Sequence, residues 1–336
     1  STFGAGGDRG VFKTTDGGKS WRKVLTGDAD TGADDLAMAA SDPNIMWATL
    51  YQRRRSQCCF NGGGPGSGLH KSTDGGETWT KVENGLPTGD LGRMAVDIYR
   101  RSANIMYVLV ETPSAARGGG PGAGGGARGG GAAAPQPAAP AGTFPSQTGL
   151  YRSDDGGATF RQVSMTNPRP MYFSQLNIDP DNPDRVYYGG VGLQMTIDGG
   201  RSVATDAAQA THDDVHAIWV NPANPDHILI GHDGGMSVSY DMSRTWQVLN
   251  NLPLALFYHV SVDDSLPFRV CGGLQDNYNW CGPSKTRFSR GILNSDWYQV
   301  QGGDGFVVLI DKNDPRYVYS ESQNGNIQRK NALTGE

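Results

Sequence analysis

Between residues 212 and 233 the chain gathers the side chains best suited to proton transfer or metal binding: His212, Asp213, Asp214, His216, His232 and Asp233. The stretch His212-Asp213-Asp214-Val215-His216-Ala217-Ile218-Trp219 reads as the entry to a strand. Strict alternation puts His212, Asp214 and His216 on one face, with Asp213 and Val215 on the other. Three such donors at two-residue spacing can hold a divalent cation, and a His–Asp pair can serve as acid and base. A hydrogen-bonded polar lining accounts for the same residues without a ligand. Further carboxylates stand in turn-like segments, Asp233 in His232-Asp233-Gly234-Gly235, Asp276 in Gln275-Asp276-Asn277, and Asp304 in Gly302-Gly303-Asp304-Gly305. Asp214, Asp233 and Asp304 are the catalytic candidates. His212, His216, His232, Gln275, Asp276 and Asn277 are the candidate ligand contacts. Glu111 and Glu321 end second strands and are placed deeper between sheets. No cofactor is required, although a divalent cation fits the His/Asp cluster.

The elements that must hold these residues announce themselves through a repeat. Thr14 to Trp21, Ser72 to Trp79, Ser153 to Phe160, Thr196 to Val203 and Ser239 to Trp246 share one pattern. A Ser or Thr is followed two residues on by Asp, then in most copies by Gly-Gly, then by Ser or Thr and a large apolar residue. A fixed repeat indicates stacked copies of one supersecondary unit. Within each copy the aspartate, Asp16, Asp74, Asp155, Asp198 or Asp241, can accept hydrogen bonds from the backbone of its own turn. Gly18, Gly76, Gly157 and Gly200 fall where a positive φ is needed. Trp21, Trp79, Phe160 and Trp246 open the next strand and offer a face for packing between sheets. These aspartates are structural, not catalytic.

A second repeat runs in phase with the first. Asp179-Pro180-Asp181-Asn182-Pro183, Asn221-Pro222-Ala223-Asn224-Pro225 and Asp311 to Pro315 each precede a short β-branched or aromatic run, with weaker versions at Ser41-Asp42-Pro43 and Ser102-Ala103-Asn104. Each is a hairpin turn between two strands. One unit therefore reads strand, Asp-Pro turn, strand, loop, strand, Asp-containing turn, strand, in the roughly 40 to 50 residues typical of a propeller blade. First strands near Leu36, Met94, Leu176, Ala217, His259 and Phe306 imply about six blades across residues 1–336, incomplete at both ends. Ala115 to Gly142, rich in Gly, Ala and Pro, is expected to be a disordered loop within one blade. The chain opens and closes in third-strand-like segments, so a longer parent chain is expected.

Composition fits an all-β chain with many turns, with 37% hydrophobic residues and 49 glycines. A net charge of −5 provides no basic stripe, which argues against nucleic acid as the main partner. Arg53-Arg54-Arg55 is the one local basic cluster and is expected to be a solvated loop or pore-rim patch and not a phosphate site. No apolar run approaches the ~18 residues of a membrane-spanning helix. Cys271 and Cys281 flank a hairpin and are expected to pair across it, which points to an oxidising, extracellular or periplasmic compartment. Adjacent Cys58 and Cys59 are not expected to bridge one another, and no metal spacing surrounds them.

The repeated turns resemble the Asp-box, or BNR repeat, of sialidases, sortilin-type receptors and xyloglucan-degrading enzymes. The segments Asp213 to Trp219, Gly231 to Gly235, Gly272 to Asn277, Gly302 to Phe306 and Tyr319 to Gln323 are similar to those of large bacterial BNR/sortilin-type propeller proteins labelled as glycosyl hydrolases. That resemblance implies a β-propeller of four-stranded antiparallel blades. It leaves two functions open. One is a secreted or surface-associated module that binds a glycan or peptide on its channel face. The other is a glycoside hydrolase with a carboxylate pair, about 5 to 5.5 Å apart for retention or roughly 6.5 to 9.5 Å for inversion.

Overall fold

The computed structural model describes residues 4–113, 144–252 and 254–336. The expected insertion at 115–142 lies outside them. The chain divides into two compact units, residues 1–249 and 250–336. The described residues contain no α-helix, only short 3₁₀ turns at Asn294–Asp296 and Gln323–Gly325.

In the first unit, β1 (Val11–Lys13) and β2 (Arg22–Leu25) form a ribbon around the first Asp-containing turn. The next sheet comprises β3 (Thr31–Met38), β4 (Met46–Arg55), β5 (Phe60–Gly62), β6 (Gly68–Ser72) and β7 (Thr80–Val82), with β5 paired to the far end of β4. A four-stranded sheet follows from β8 (Met94–Ile98), β9 (Met106–Val110), β10 (Gly149–Ser153) and β11 (Arg161–Ser164). Then come three strands, β12 (Leu176–Ile178), β13 (Val186–Tyr188) and β14 (Gln194–Thr196), and four more, β15 (Val215–Val220), β16 (Ile228–His232), β17 (Gly235–Ser239) and β18 (Gln247–Val248). The second unit holds β19 (Phe257–Val262), β20 (Arg269–Leu274), β21 (Asn279–Pro283) and β22 (Tyr298–Gln301), then β23 (Gly305–Ile310), β24 (Tyr317–Ser322) and β25 (Asn326–Asn331). Sequential antiparallel pairing in sheets of up to four main strands is the blade pattern of a β-propeller. Leu36, Met94, Leu176, Ala217, His259 and Phe306 all lie on first strands of these sheets.

Period-two alternation gives each blade two apolar faces. Val96, Val108 and Tyr151 pack with Trp47 and Leu69 of the preceding sheet, whereas Ala95, Tyr107 and Leu109 pack with Ile178, Val186 and Tyr188 of the following one. Adjacent Tyr187 and Tyr188 likewise serve opposite faces, Tyr187 joining Val215, Ile228 and Ile230. First strands are also joined by carboxylates: Asp35 Oδ2 accepts the Val96 N–H at 2.9 Å, and Asp97 Oδ2 accepts the Ile178 N–H at 2.7 Å. Burial raises both carboxyl groups, that of Asp97 to about 7.

The five aspartate turns share one hydrogen-bond scheme. In the copy at Ser153, Ser153 Oγ donates to Asp155 Oδ1 at 2.8 Å and accepts the Gly157 N–H at 2.8 Å, while Thr159 donates to Asp155 from its N–H and its hydroxyl. These donors depress the carboxyls of Asp16, Asp155 and Asp241 to about 2. Both glycines of each Gly-Gly pair have positive φ, and in the last copy Met242 and Ser243 occupy that region at φ 57° and 72°. The two sequence repeats meet in the four larger sheets of the first unit. Gly75, Gly156, Gly199 and Met242 donate their backbone N–H to Asn44, Asn104, Asp184 and Asp226 in the neighbouring Asp-Pro-type turns.

Three expectations fail in this region. Arg53, Arg54 and Arg55 end β4 and pair with β5 instead of standing in a loop. Phe160 is buried edge-on to Trp47, but Trp21 is 61% exposed, standing in a ribbon of only two strands; its indole N–H bonds Gly18 O just as that of the partly buried Trp79 bonds Gly76 O. Cys58 and Cys59 are joined, at the tip of the β4–β5 hairpin where the Ser56 N–H donates to Cys59 O and closes the turn. The Cys271–Cys281 bridge links directly opposed residues of β20 and β21, inside the core that Val300, Val308, Ile310 and Val318 complete.

Candidate functional site

Residues 212–214 precede β15 instead of belonging to it, which removes the alternation that would align His212 with Asp214 and His216. Asp214 has φ 64°, and the β15–β16 pairing slips between Val215 and Ala217. Both departures follow from the loop after β13, whose Val191 O and Gly190 O accept the N–H groups of Asp214 and Val215. The residue that joins Asp214 and His216 is therefore not His212 but Asp233, from the β16–β17 turn. One donor atom from each of the three lies within 4.8 Å of the others, all on half-buried side chains. His216 Nε2 is 3.2 Å from Asp233 Oδ1.

His212 and His232 form a separate layer. Their rings stack at 6.0 Å. His232 Nδ1 accepts the Gly234 N–H at 3.2 Å, so Nε2 carries the proton and donates to Ser237 Oγ at 2.8 Å. Burial, with His212 beside it, lowers the imidazole of His232 to about 4. Position 234 has no room for a side chain, since a Cβ there would lie 2.6 Å from that of His212.

Sequence reading missed the basic and aromatic partners. Arg169 approaches Asp214 at 3.8 Å and covers the rings of Tyr172 and Phe173, at 4.7 and 5.4 Å from their centroids. The same two rings flank His216, at 5.4 and 5.2 Å. Arg93 binds Asp34 Oδ2 through Nε and Tyr172 O through Nη1, each at 2.7 Å. Asp34 lies early in β3, Arg93 immediately before β8, Arg169 and Tyr172 before β12, and Asp214 before β15. Charged residues at this one phase of each repeat were the available signal. The result is a line of paired charges of both signs across the first-strand entries of the first unit. Glu111 is buried behind it, with Oε2 accepting the Arg93 N–H.

The remaining candidates fall in the second unit. Asp304 Oδ1 accepts the Asp276 N–H at 2.6 Å, and Oδ2 accepts Gln323 Nε2 at 3.1 Å. Burial raises the Asp304 carboxyl, and so does the adjoining carboxyl of Asp276, against the opposing pull of the Asp276 N–H. Asn277 Nδ2 donates to Gln275 O within the β20–β21 turn. Asp276, Tyr278 and Asn324 all have left-handed φ angles. Glu321 lies on β24, half-buried.

No family model matches the sequence, and no curated protein matches it. Among solved structures, the chain overlaps the GH74 xyloglucanase from Xanthomonas campestris at 14% identity and a TM-score of 0.44, covering 93% of this chain and 45% of that one. It overlaps the GH74 enzyme of Niastella koreensis at 12% identity and 0.43, over 96% and 43% of the two chains. The structure of YCF48 bound to a peptide overlaps at 13% identity and 0.39, over 96% and 87%. The chain thus spans less than half the length of the two GH74 enzymes. At these scores the overlaps carry no inference about activity, and the blade pattern rests on the strand pairing itself.

Proposed function

We propose that the chain is a ligand-binding propeller module whose recognition surface is the line of first-strand entries in the first unit, and that its ligand is a glycan or peptide. The observation that carries this reading is the run Asp34, Arg93, Arg169, Asp214, His216 and Asp233, interleaved with the rings of Tyr172 and Phe173. Tyr172 is 39% exposed, and the Arg169 and His216 side chains are exposed to a similar degree. The exposed ring of Tyr172, backed by the buried ring of Phe173 and flanked by fixed hydrogen-bonding groups, can stack on a sugar or peptide face while the charges set orientation. Asp214 faces the guanidinium of Arg169 and Asp233 faces the imidazole of His216, polar surroundings and not the apolar pocket that keeps a catalytic acid protonated. The buried Cys271–Cys281 bridge and the absence, among the described residues, of a helix able to cross a membrane accord with a secreted or surface-associated protein.

A glycoside hydrolase is the second reading, and one observation favours it. Asp304 is a carboxyl raised by burial and by the adjoining Asp276, the environment expected of a general acid beside a second carboxylate.

One experiment separates the two. A glycan and peptide array, with a polysaccharide-hydrolysis assay, is run on the chain, on Asp214→Asn/Asp233→Asn and on Asp304→Asn. Retention without turnover that is lost in the double variant supports binding. Sugar release lost in Asp304→Asn establishes the hydrolase, and silence in every assay rejects both.

A further inference from the structure

We infer that Asp214, His216 and Asp233 bind one first-row divalent cation, Zn²⁺ or Mn²⁺, and that this ion is the contact through which the first-strand rim takes hold of its ligand. The inference deepens the binding reading and rests on it only for the ligand, not for the ion. One imidazole nitrogen with two carboxylates is a mixed donor set suited to Zn²⁺ and Mn²⁺, whereas Ca²⁺ favours six to eight oxygens.

The spacing is close to what one ion needs. Donors bound tetrahedrally at about 2.1 Å from a shared ion lie about 3.4 Å from each other. The three donor atoms lie within 4.8 Å, and His216 Nε2 and Asp233 Oδ1 are already 3.2 Å apart, so side-chain adjustments of about an ångström complete the set.

The donors are also held from behind. The Asp214 N–H is fixed on Val191 O at 2.8 Å, and the Asp233 N–H points to Asp213 O at 3.4 Å. The ring of His216 is lodged against Tyr172 and Phe173. Three half-buried protein ligands leave coordination positions for water or for ligand oxygens, the pattern of an open site and not of a structural one.

His212 takes no part. Its Nδ1 faces Asp213 O at 3.0 Å and its ring is stacked on His232, both of whose nitrogens are engaged.

The test is calorimetric titration of the tag-free, chelator-stripped chain with ZnCl₂, MnCl₂ and CaCl₂, in the absence of any glycan or peptide. The expected result is one Zn²⁺ or Mn²⁺ per chain, weakened at least tenfold in His216→Ala and in Asp233→Asn and unchanged in His212→Ala. No saturable uptake, uptake indifferent to both substitutions, a preference for Ca²⁺, or loss in His212→Ala would overturn the assignment. Melting curves establish that the variants fold. Should either fail to fold, Mn²⁺-induced line broadening of imidazole resonances in the unaltered chain decides: His216 must broaden before His212 and His227, and any other order sinks the site. Repeating the arrays in chelator keeps the two readings apart. Metal uptake without any array signal rejects the proposed function and leaves the ion site standing. Array binding that survives chelation removes the ion from ligand capture.

Discussion

The carboxylate of Asp97 spans two sheets, receiving the N–H of Ile98 on Oδ1 at 2.8 Å and that of Ile178, on the first strand of the next blade, on Oδ2 at 2.7 Å. Its burial raises the carboxyl from the ordinary 3.8 to about 7. The folded chain therefore holds this proton where the unfolded chain has released it. The associated stability is fully present below about pH 4 and is lost as pH rises through about 7, at a slope of at most ~1.4 kcal/mol per pH unit. In Asp97→Asn the difference in melting temperature between pH 5 and pH 8 should move toward higher stability at pH 8, relative to the unaltered chain. An unchanged pH dependence would show that the group titrates normally.

The aspartates of the repeated turns act in the opposite sense and in another window. Asp16, Asp155 and Asp241 are held near 2 by hydroxyl and backbone donors, so their stabilisation is present above about pH 4 and disappears as pH falls through 2. Asp155→Ala should lower the melting temperature at pH 7 and flatten the acid limb of the stability profile. It should leave array binding intact, because the turn lies at the other end of its blade from the charged rim.

Gly157 and Met242 make a paired backbone test. A Cβ at Gly157 would come within 2.1 Å of the Trp47 ring, at φ +77°. Gly157→Ala should destabilise by more than about 1–3 kcal/mol, the range for overpacking alone. Met242 occupies the same left-handed region at φ 57° with a side chain present. Met242→Gly should be neutral to stabilising, by up to about 1 kcal/mol. Denaturant melts read both, and a stabilising Gly157→Ala would refute the packing of this turn on the preceding blade.

His232 should remain neutral, with its proton on Nε2, down to about pH 4. Because its folded value is depressed, the stability it contributes is present above about 6.5 and declines as pH falls toward 4. A nitrogen-detected NMR titration measures the tautomer and the midpoint directly. A midpoint above 6 would mean that the pocket around Ser237 is open to water.

The architecture was legible because turn chemistry repeats. Asp74 and Asp155 keep the same donors, and the Asp-Pro turns recur in phase with them, so strand order followed from residue type alone. The site was legible only in part. Asp214, His216 and Asp233 were all singled out, but their grouping depended on a bulge at Val215 and on the left-handed backbone of Asp214, neither of which alternation encodes. Arg169 and Tyr172 stand more than forty residues before Asp214 and His216 in sequence, and nothing in their own neighbourhood marks them. The pairing of Cys58 with Cys59 depended on the tight turn at the tip of β4–β5, which their sequence neighbours do not signal.

The β9–β10 connection is fastened at its base: the Thr112 N–H donates to Thr148 Oγ1 at 3.0 Å, and the two hydroxyls lie 2.8 Å apart. In its own blade this connection occupies the position that the β16–β17 turn, with Asp233, occupies in another. Loop closure grows only logarithmically with length, by about 0.6 kcal/mol per doubling, so a fastened base tolerates long additions beyond it. Packed faces such as those around Trp47 and Tyr107 leave no room for added volume, whereas a connection tied at its base can change length at little cost to the sheet that carries it.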